Sequence, residues 1–243
     1  MNSKELTKRK ILICIVALIS IIVIFSSTSL DLLAQNNIYN FQLHQWPVPY
    51  GEGLIRNLFY NWIKIPLYIY GAIALGLLIF FRKKTYVHKN MKGWALSLAN
   101  LALVPLVAVV GKDLSNMRCP YELVDYSGQL NHFRLFDFNR YFIDGHFIWD
   151  THQWGHCFPA GHASGGYALL GLMAFSAHQG RRCLIGMFAL FYGSIMALYQ
   201  MLRGAHFLSH TLTTVALSYL IFYCLELAWD HYFSKEGLSG TIS

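Results

Sequence analysis

Six stretches of this 243-residue chain are apolar for about the length a helix needs to cross a lipid bilayer, roughly 20 residues at 1.5 Å each. They cover residues 11–33, 59–81, 94–111, 163–179, 183–202 and 211–229. Nothing else in the chain restricts its fold so strongly. Lipid offers backbone groups no water to bond, so it admits only helices or closed barrels. Composition agrees, with 55% hydrophobic and 13% charged residues, against about 45–50% and about 25% in a soluble domain. Disorder, collagen and a small disulfide scaffold are excluded. The chain reads as an all-α membrane protein, a six-helix transmembrane bundle forming one domain over residues 1–243. The 163–179 stretch is the shortest, and its glycines make it the least regular.

Basic residues set the orientation. The net charge is +7, which in a soluble chain suggests nucleic acid. In a hydrophobic chain it is the excess that cytoplasmic loops carry, so no nucleic-acid partner is expected. Lys4, Lys8, Arg9, Lys10, then Arg82, Lys83, Lys84, Lys89, Lys92, then Arg181, Arg182 and Lys235 fall at one set of helix ends. Both termini are then cytoplasmic and the loops 34–58 and 112–160 face outward. For a Gram-negative source this places the chain in the bacterial inner membrane with those loops in the periplasm. Lys64 reads as a side chain snorkelling to the interface, and Trp46, Tyr50 and Tyr60 suit an interfacial belt. The first apolar run exceeds the roughly 7–15 residues of a signal core and lacks an A-x-A site, so an uncleaved anchor is expected.

Cys14, Cys183 and Cys224 fall within spans, where a thiol is a small apolar group. Cys119 and Cys157 lie near the two ends of the outer loop. An oxidising compartment would allow a bridge between them; two free thiols remain the other reading.

The polar chemistry gathers in three clusters that this topology brings to one depth. Gly111-Lys112-Asp113-Leu114-Ser115-Asn116-Met117-Arg118-Cys119-Pro120 leaves the third span, and Cys157-Phe158-Pro159-Ala160-Gly161-His162 enters the fourth. Arg203-Gly204-Ala205-His206-Phe207-Leu208-Ser209-His210 joins the fifth to the sixth. Lys112, Arg118 and Arg203 are cationic donors suited to phosphate or carboxylate oxygens. Gly161 permits close backbone approach at a helix start whose N–H groups attract an anion. On a continuous helix, Arg203, His206 and His210 would project from one face. An anion clamp beside imidazoles fits phosphoryl transfer, with one histidine as nucleophile and another as general acid. His206 and His210 with Asp150, His152 or His156 would alternatively suit zinc. Gly165, Gly166 and Gly171 also suit close helix packing.

At these residues the chain resembles the type 2 phosphatidic acid phosphatase superfamily, as a divergent subgroup. Lys112 and Pro120 keep the spacing of that family's first motif, with Cys119 at its arginine and Arg118 beside it. Pro159-Ala160-Gly161-His162 matches the second motif with Ala160 replacing serine. Gly204-Ala205-His206-Phe207-Leu208-Ser209-His210 matches the third, with His210 replacing aspartate and Gln200 at the arginine position. The resemblance implies a metal-independent hydrolase without cofactor. It makes His206 the nucleophile that forms a phosphohistidine, and His162 the group that protonates the departing oxygen and later activates water. Lys112, Arg118, Arg203 and Gly161 would hold the phosphate, and His210 completes the catalytic set. A rival register makes His210 the nucleophile. The implied partner is a membrane lipid phosphate, such as lipid A or undecaprenyl diphosphate. Arg134 and Arg140 add loop charge that suits a polyanionic headgroup. A lipid-to-lipid phosphotransferase would use the same site. An anion transporter, the reading from another class, would want charge near the midplane or paired broken helices.

Overall fold

The computed structural model describes residues 3–49, 51, 53–137, 141–143, 146–147 and 155–233. Tyr50, Arg140, Asp150, His152 and Lys235, named above, lie outside them. The helices, in chain order, are α1 (Ser3–Ser27), α2 (Leu30–Asn36), α3 (Leu54–Arg56), α4 (Ile65–Phe80), α5 (Thr85–Lys89), α6 (Met91–Ser115), α7 (Gly161–Tyr167), α8 (Gln179–Leu202) and α9 (Leu208–Tyr232). Two paired dipeptides, Phe142–Ile143 and His146–Phe147, form the one named sheet among the described residues.

Five segments are long and apolar enough to cross a membrane: Lys4–Ser27, Leu54–Phe80, Met91–Ser115, Gln179–Leu202 and Leu208–Tyr232. Their outer faces carry bare aliphatic and aromatic rows, among them Leu12, Val16 and Ile19 on α1, Ile69 and Ile73 on α4, and Phe191 on α8. A monomer in water does not expose such continuous apolar surface, whereas lipid solvates it. The chain is a multi-pass membrane protein.

Most span ends shift by a few residues from the sequence reading, and two of the shifts bear on the site. The first span stops at Ser27, where the Ser27 and Thr28 hydroxyls donate back to the carbonyls of Val23 and Ile24. The chain then turns into α2. The second begins earlier, at Leu54, and passes through a π-turn (Asn57–Asn61) and a 3₁₀ turn (Trp62–Lys64) before α4.

The stretch expected at 163–179 is instead α7 followed by a 3₁₀ helix, Ala168–Phe175. Seven residues at about 1.5 Å and eight at about 2.0 Å extend it to about 26 Å, so the tighter winding stretches a short segment nearly across the apolar layer. Its glycines account for its place between neighbours. A Cβ on Gly166 would lie 2.6 Å from Gly193 Cα on α8, and one on Gly171 would lie 2.7 Å from Ser97 Cα on α6. The segment touches both helices backbone to backbone. Where α winding gives way to 3₁₀, Asn100 Nδ2 donates to the Ala168 carbonyl at 2.8 Å. Leu67, Leu169, Leu170, Met173, Ala189 and Phe222 pack as the central core.

One end of the bundle is closed by charge. Arg182 donates twice to Glu226 (2.6 and 2.9 Å), and Lys92 pairs with Asp230 at 2.7 Å and Glu226 at 3.7 Å. These pairs join α6, α8 and α9. Glu226 lies inside a span read as nearly free of charge and is only 4% exposed. Removing one partner of a buried pair strands the other, at a cost of about 3–5 kcal/mol. Glu226→Ala is therefore expected to lower the thermal midpoint in detergent sharply. Glu5→Ala, which removes only the exposed Lys8 pair, should leave it unchanged. Equal midpoints for the two variants would contradict this.

Candidate active site

The three polar clusters meet at the opposite end. The α6 helix terminates where Asn116 turns left-handed (φ 46°, ψ 39°), and its side-chain oxygen accepts from the Gly155 amide at 2.7 Å. The Cys157 amide donates to the Met117 carbonyl at 3.1 Å. Cys119 and Cys157 form a disulfide, with Cα atoms 5.3 Å apart. Of the two readings the sequence left open, the bridge is the one found. The Ser115 hydroxyl donates to the Phe158 carbonyl at 2.8 Å. Thr214 donates to the carbonyls of Ala160 (3.2 Å) and His210 (2.8 Å), and the Ala160 amide donates to the His210 carbonyl at 3.2 Å. The ends of α6, α7 and α9 are thus tied to one another.

Arg203, His206 and His210 do not share one helix face as their spacing suggested. The α8 helix ends at Leu202, and Gly204 follows with φ +69°, a left-handed conformation natural to glycine. A Cβ there would also strike the Trp46 indole at 2.3 Å. The chain leaves helical geometry and re-enters it at Leu208, so His206 stands in the turn and His210 in the first turn of α9. The imidazoles still meet, with ring centroids 5.8 Å apart. His210 is fully buried, and the Cys157 backbone lies beside it as it does beside His206. Burial, then the neighbouring His210 and the Lys112 charge, push His206 well below its ordinary value, so it is a neutral imidazole.

The α2 helix braces this turn. Asp31 accepts from the Ser209 amide at 2.9 Å and also from the Ser209 hydroxyl, while Gln35 Nε2 donates to the His206 carbonyl at 3.4 Å. A carboxylate at a helix start satisfies free N–H groups and opposes the helix dipole. Burial nevertheless lifts Asp31 to about 6, with the two Ser209 bonds pulling the other way.

The His162 side chain enters from α7. Its ring stacks on Tyr60 (centroids 4.6 Å apart, planes 8° apart), and Nε2 lies 3.1 Å from the Phe59 carbonyl in the π-turn. A carbonyl only accepts, so the neutral ring carries its proton on Nε2 and leaves Nδ1, buried without a partner, as the free nitrogen. Burial and then the Lys64 charge, followed by those of Arg203 and Lys112, push His162 down to about 4. Arg203 is 7% exposed, with its guanidinium 5.5 Å from the Tyr199 ring and 5.8 Å from the Tyr60 ring. Lys112 lies across Gly161, where a Cβ would come 2.8 Å from its Cε and 3.3 Å from its Nζ. Hence Lys112, Gly161, His162, Arg203, His206 and His210 come together. Arg118 is half-buried and has no described contact with these histidines or Lys112.

Sequence reasoning missed Asp31 and Gln35, which lie in or beside an apolar run far from the motifs, and it read Lys64 and Tyr60 as interfacial. An acidic residue interrupting the end of that run was the one available signal. As for metals, Cys119, Glu122 and Cys157 are close enough to share an ion, but both sulfurs are in the disulfide and Glu122 accepts from the Cys119 amide at 2.7 Å. His156 instead faces Asp113 at 3.4 Å.

Two outcomes follow. In Gly161→Ala the added methyl meets only the flexible end of Lys112. The thermal midpoint should stay near wild type while affinity for inorganic phosphate falls about tenfold; unchanged affinity would contradict the crossing of Lys112 over Gly161. The folded-state pKa of Asp31 is raised, so its contribution to stability is full below the ordinary carboxylate pKa and is lost as pH rises through about 6. Between pH 4 and 7 the wild-type midpoint should therefore fall relative to Asp31→Asn. A constant difference would contradict the burial of that carboxylate.

A comparison with protein families matches the PAP2 superfamily over residues 93–233. Searches of curated proteins and of solved structures returned no match. The matched stretch runs from the start of α6 to the end of α9 and contains Lys112, His162, Arg203, His206 and His210. Covering more than half of the chain and all three site clusters, it shows that this protein belongs to the PAP2 superfamily, whose members are phosphatases.

Proposed function

We propose that the protein hydrolyses a lipid phosphate monoester or diphosphate at the outer face of its membrane through a phosphohistidine on His206. The observation that carries this reading is the meeting of neutral His206 and His162 with Lys112 and Arg203 at one end of an apolar bundle. A buried neutral imidazole keeps its lone pair available for attack, whereas a protonated one does not. His206 forms a P–N bond as the P–O bond to the lipid breaks, and His162 delivers a proton to the departing oxygen. Because His162 is neutral at rest, that proton arrives with the phosphate, whose second pKa is about 6. Water then attacks phosphorus, His162 takes the water proton, and the P–N bond breaks to release inorganic phosphate. Lys112, Arg203 and the Gly161 amide stabilise charge on the equatorial oxygens. This chemistry calls on no metal or cofactor.

With α7 and its 3₁₀ continuation as a sixth crossing, the site lies at the face opposite the basic clusters. By the positive-inside rule that face is periplasmic in a bacterial inner membrane, with both termini in the cytoplasm. A lipid headgroup reaches such a site from the side. Lys112, Arg182 and Glu226 sit near the ends of their spans, and Lys64, ten residues inside Leu54–Phe80, is turned toward Tyr60 and the site at the same end of the bundle. Charge gathered at the ends supports a surface reaction over transport.

Purified protein in detergent micelles is expected to release phosphate from at least one member of a lipid phosphate panel that includes lipid A and undecaprenyl diphosphate, with chelator present. His162→Ala should lower the rate about 10²–10⁴-fold, the usual worth of a general acid–base group. His206→Ala should abolish turnover, while His210→Ala retains a measurable fraction. Turnover in His206→Ala together with its loss in His210→Ala would transfer the nucleophile's role to His210. The acid limb of kcat/KM should lie well below pH 6.5, following the lowered His206 and His162. Transfer to an added lipid acceptor in preference to water would identify a phosphotransferase.

A further inference from the structure

The motifs supply Lys112 and Arg203 to the site, yet the cation that acts most strongly on His162 is Lys64. It belongs to no motif. Its residue closes the 3₁₀ turn Trp62–Lys64, and its ammonium lies 4.2 Å from the centroid of the Tyr60 ring, the same ring that stacks on His162. The Arg203 guanidinium stands 5.8 Å from that ring, and Lys64 is also near enough to Lys112 for the two charges to repel. Among the described residues no carboxylate pairs with Lys64. A lysine that merely anchors a helix at the interface extends its ammonium into the headgroup water. Lys64 instead lies partly buried beside the catalytic imidazole, in company with two further cations. Gathering like charges opposes folding, and a bound anion relieves it.

We propose that Lys64 is a phosphate-binding residue, supplied by the second span in place of the motif arginine whose position Cys119 gives to the disulfide. Its side of the site is the leaving-group side, because it neighbours His162, the group that protonates the departing oxygen. This rests on the hydrolase reading for the direction of the reaction, but phosphate binding itself does not depend on it. Lys64 then favours substrates whose leaving group is itself anionic, such as a lipid diphosphate, over those whose leaving group is a neutral alcohol.

The test uses the full-length protein in detergent and inorganic phosphate as the probe. Phosphate is expected to raise the wild-type thermal midpoint. In Lys64→Met, which keeps the apolar stem, the concentration needed should rise about tenfold, and Lys64→Arg should restore most of the effect. Without phosphate, the Lys64→Met midpoint should equal or exceed that of wild type, since a like-charge repulsion is removed. In turnover, Lys64→Met should raise KM for a lipid diphosphate more than for a lipid monophosphate. Equal phosphate protection of wild type and Lys64→Met, or no protection of wild type, overturns the proposal. Equal KM changes for the two lipids overturn the leaving-side assignment. Lys64-dependent protection in a protein that releases phosphate from no lipid would uphold the binding site and overturn the hydrolase reading instead.

Discussion

The site depends on hydrogen bonds that fasten helix ends to one another inside an apolar layer. Thr214 reaches the carbonyls of both Ala160 and His210, Ser115 reaches Phe158, and Asn116 receives the Gly155 amide. Each gives a backbone group at or beside a helix end a protein partner where lipid offers none. The consequence for function is position. Three segments that are far apart in the chain are held at one depth, and Lys112, His162 and His206 face a common space. The Cys119–Cys157 disulfide adds a covalent tie between the first two segments.

Electrostatics follow from the same enclosure. Burial holds His206 and His162 neutral, the state that the proposed attack and proton relay require, while Lys112, Arg203 and Lys64 make the space between them positive. The aspartate that the family motif places after the nucleophile is His210 here, which contributes no negative charge. The carboxylate that braces this turn comes instead from Asp31 on α2. It acts on the backbone through Ser209, not on the imidazole. The negative group has moved from the start of α9, where His210 stands, to the neighbouring α2.

Much of this is legible in the sequence, and the remainder is hidden for physical reasons. Apolar length identifies five crossings directly, because membrane thickness is a one-dimensional constraint. The motif spacings locate Lys112, His162 and His206, because each motif is local. The fourth segment is harder, since exchanging α for 3₁₀ winding changes the rise per residue without changing hydrophobicity. The break at Gly204 depends on a single φ angle and on Trp46 from a distant loop. Asp31, Gln35 and Lys64 are recognisable only once long-range packing has brought α2 and the π-turn against the motif segments. Glu226 has no visible role in an apolar run until packing sets Arg182 and Lys92 against it.

Trapping the intermediate tests the central claim most directly. Protein mixed briefly with a lipid phosphate and quenched in alkali should carry one phosphoryl group, alkali-stable and acid-labile as a phosphoramidate is, and peptide mapping should place it on His206. A phosphoryl group on His210, or turnover without any phosphorylated protein, would contradict the account.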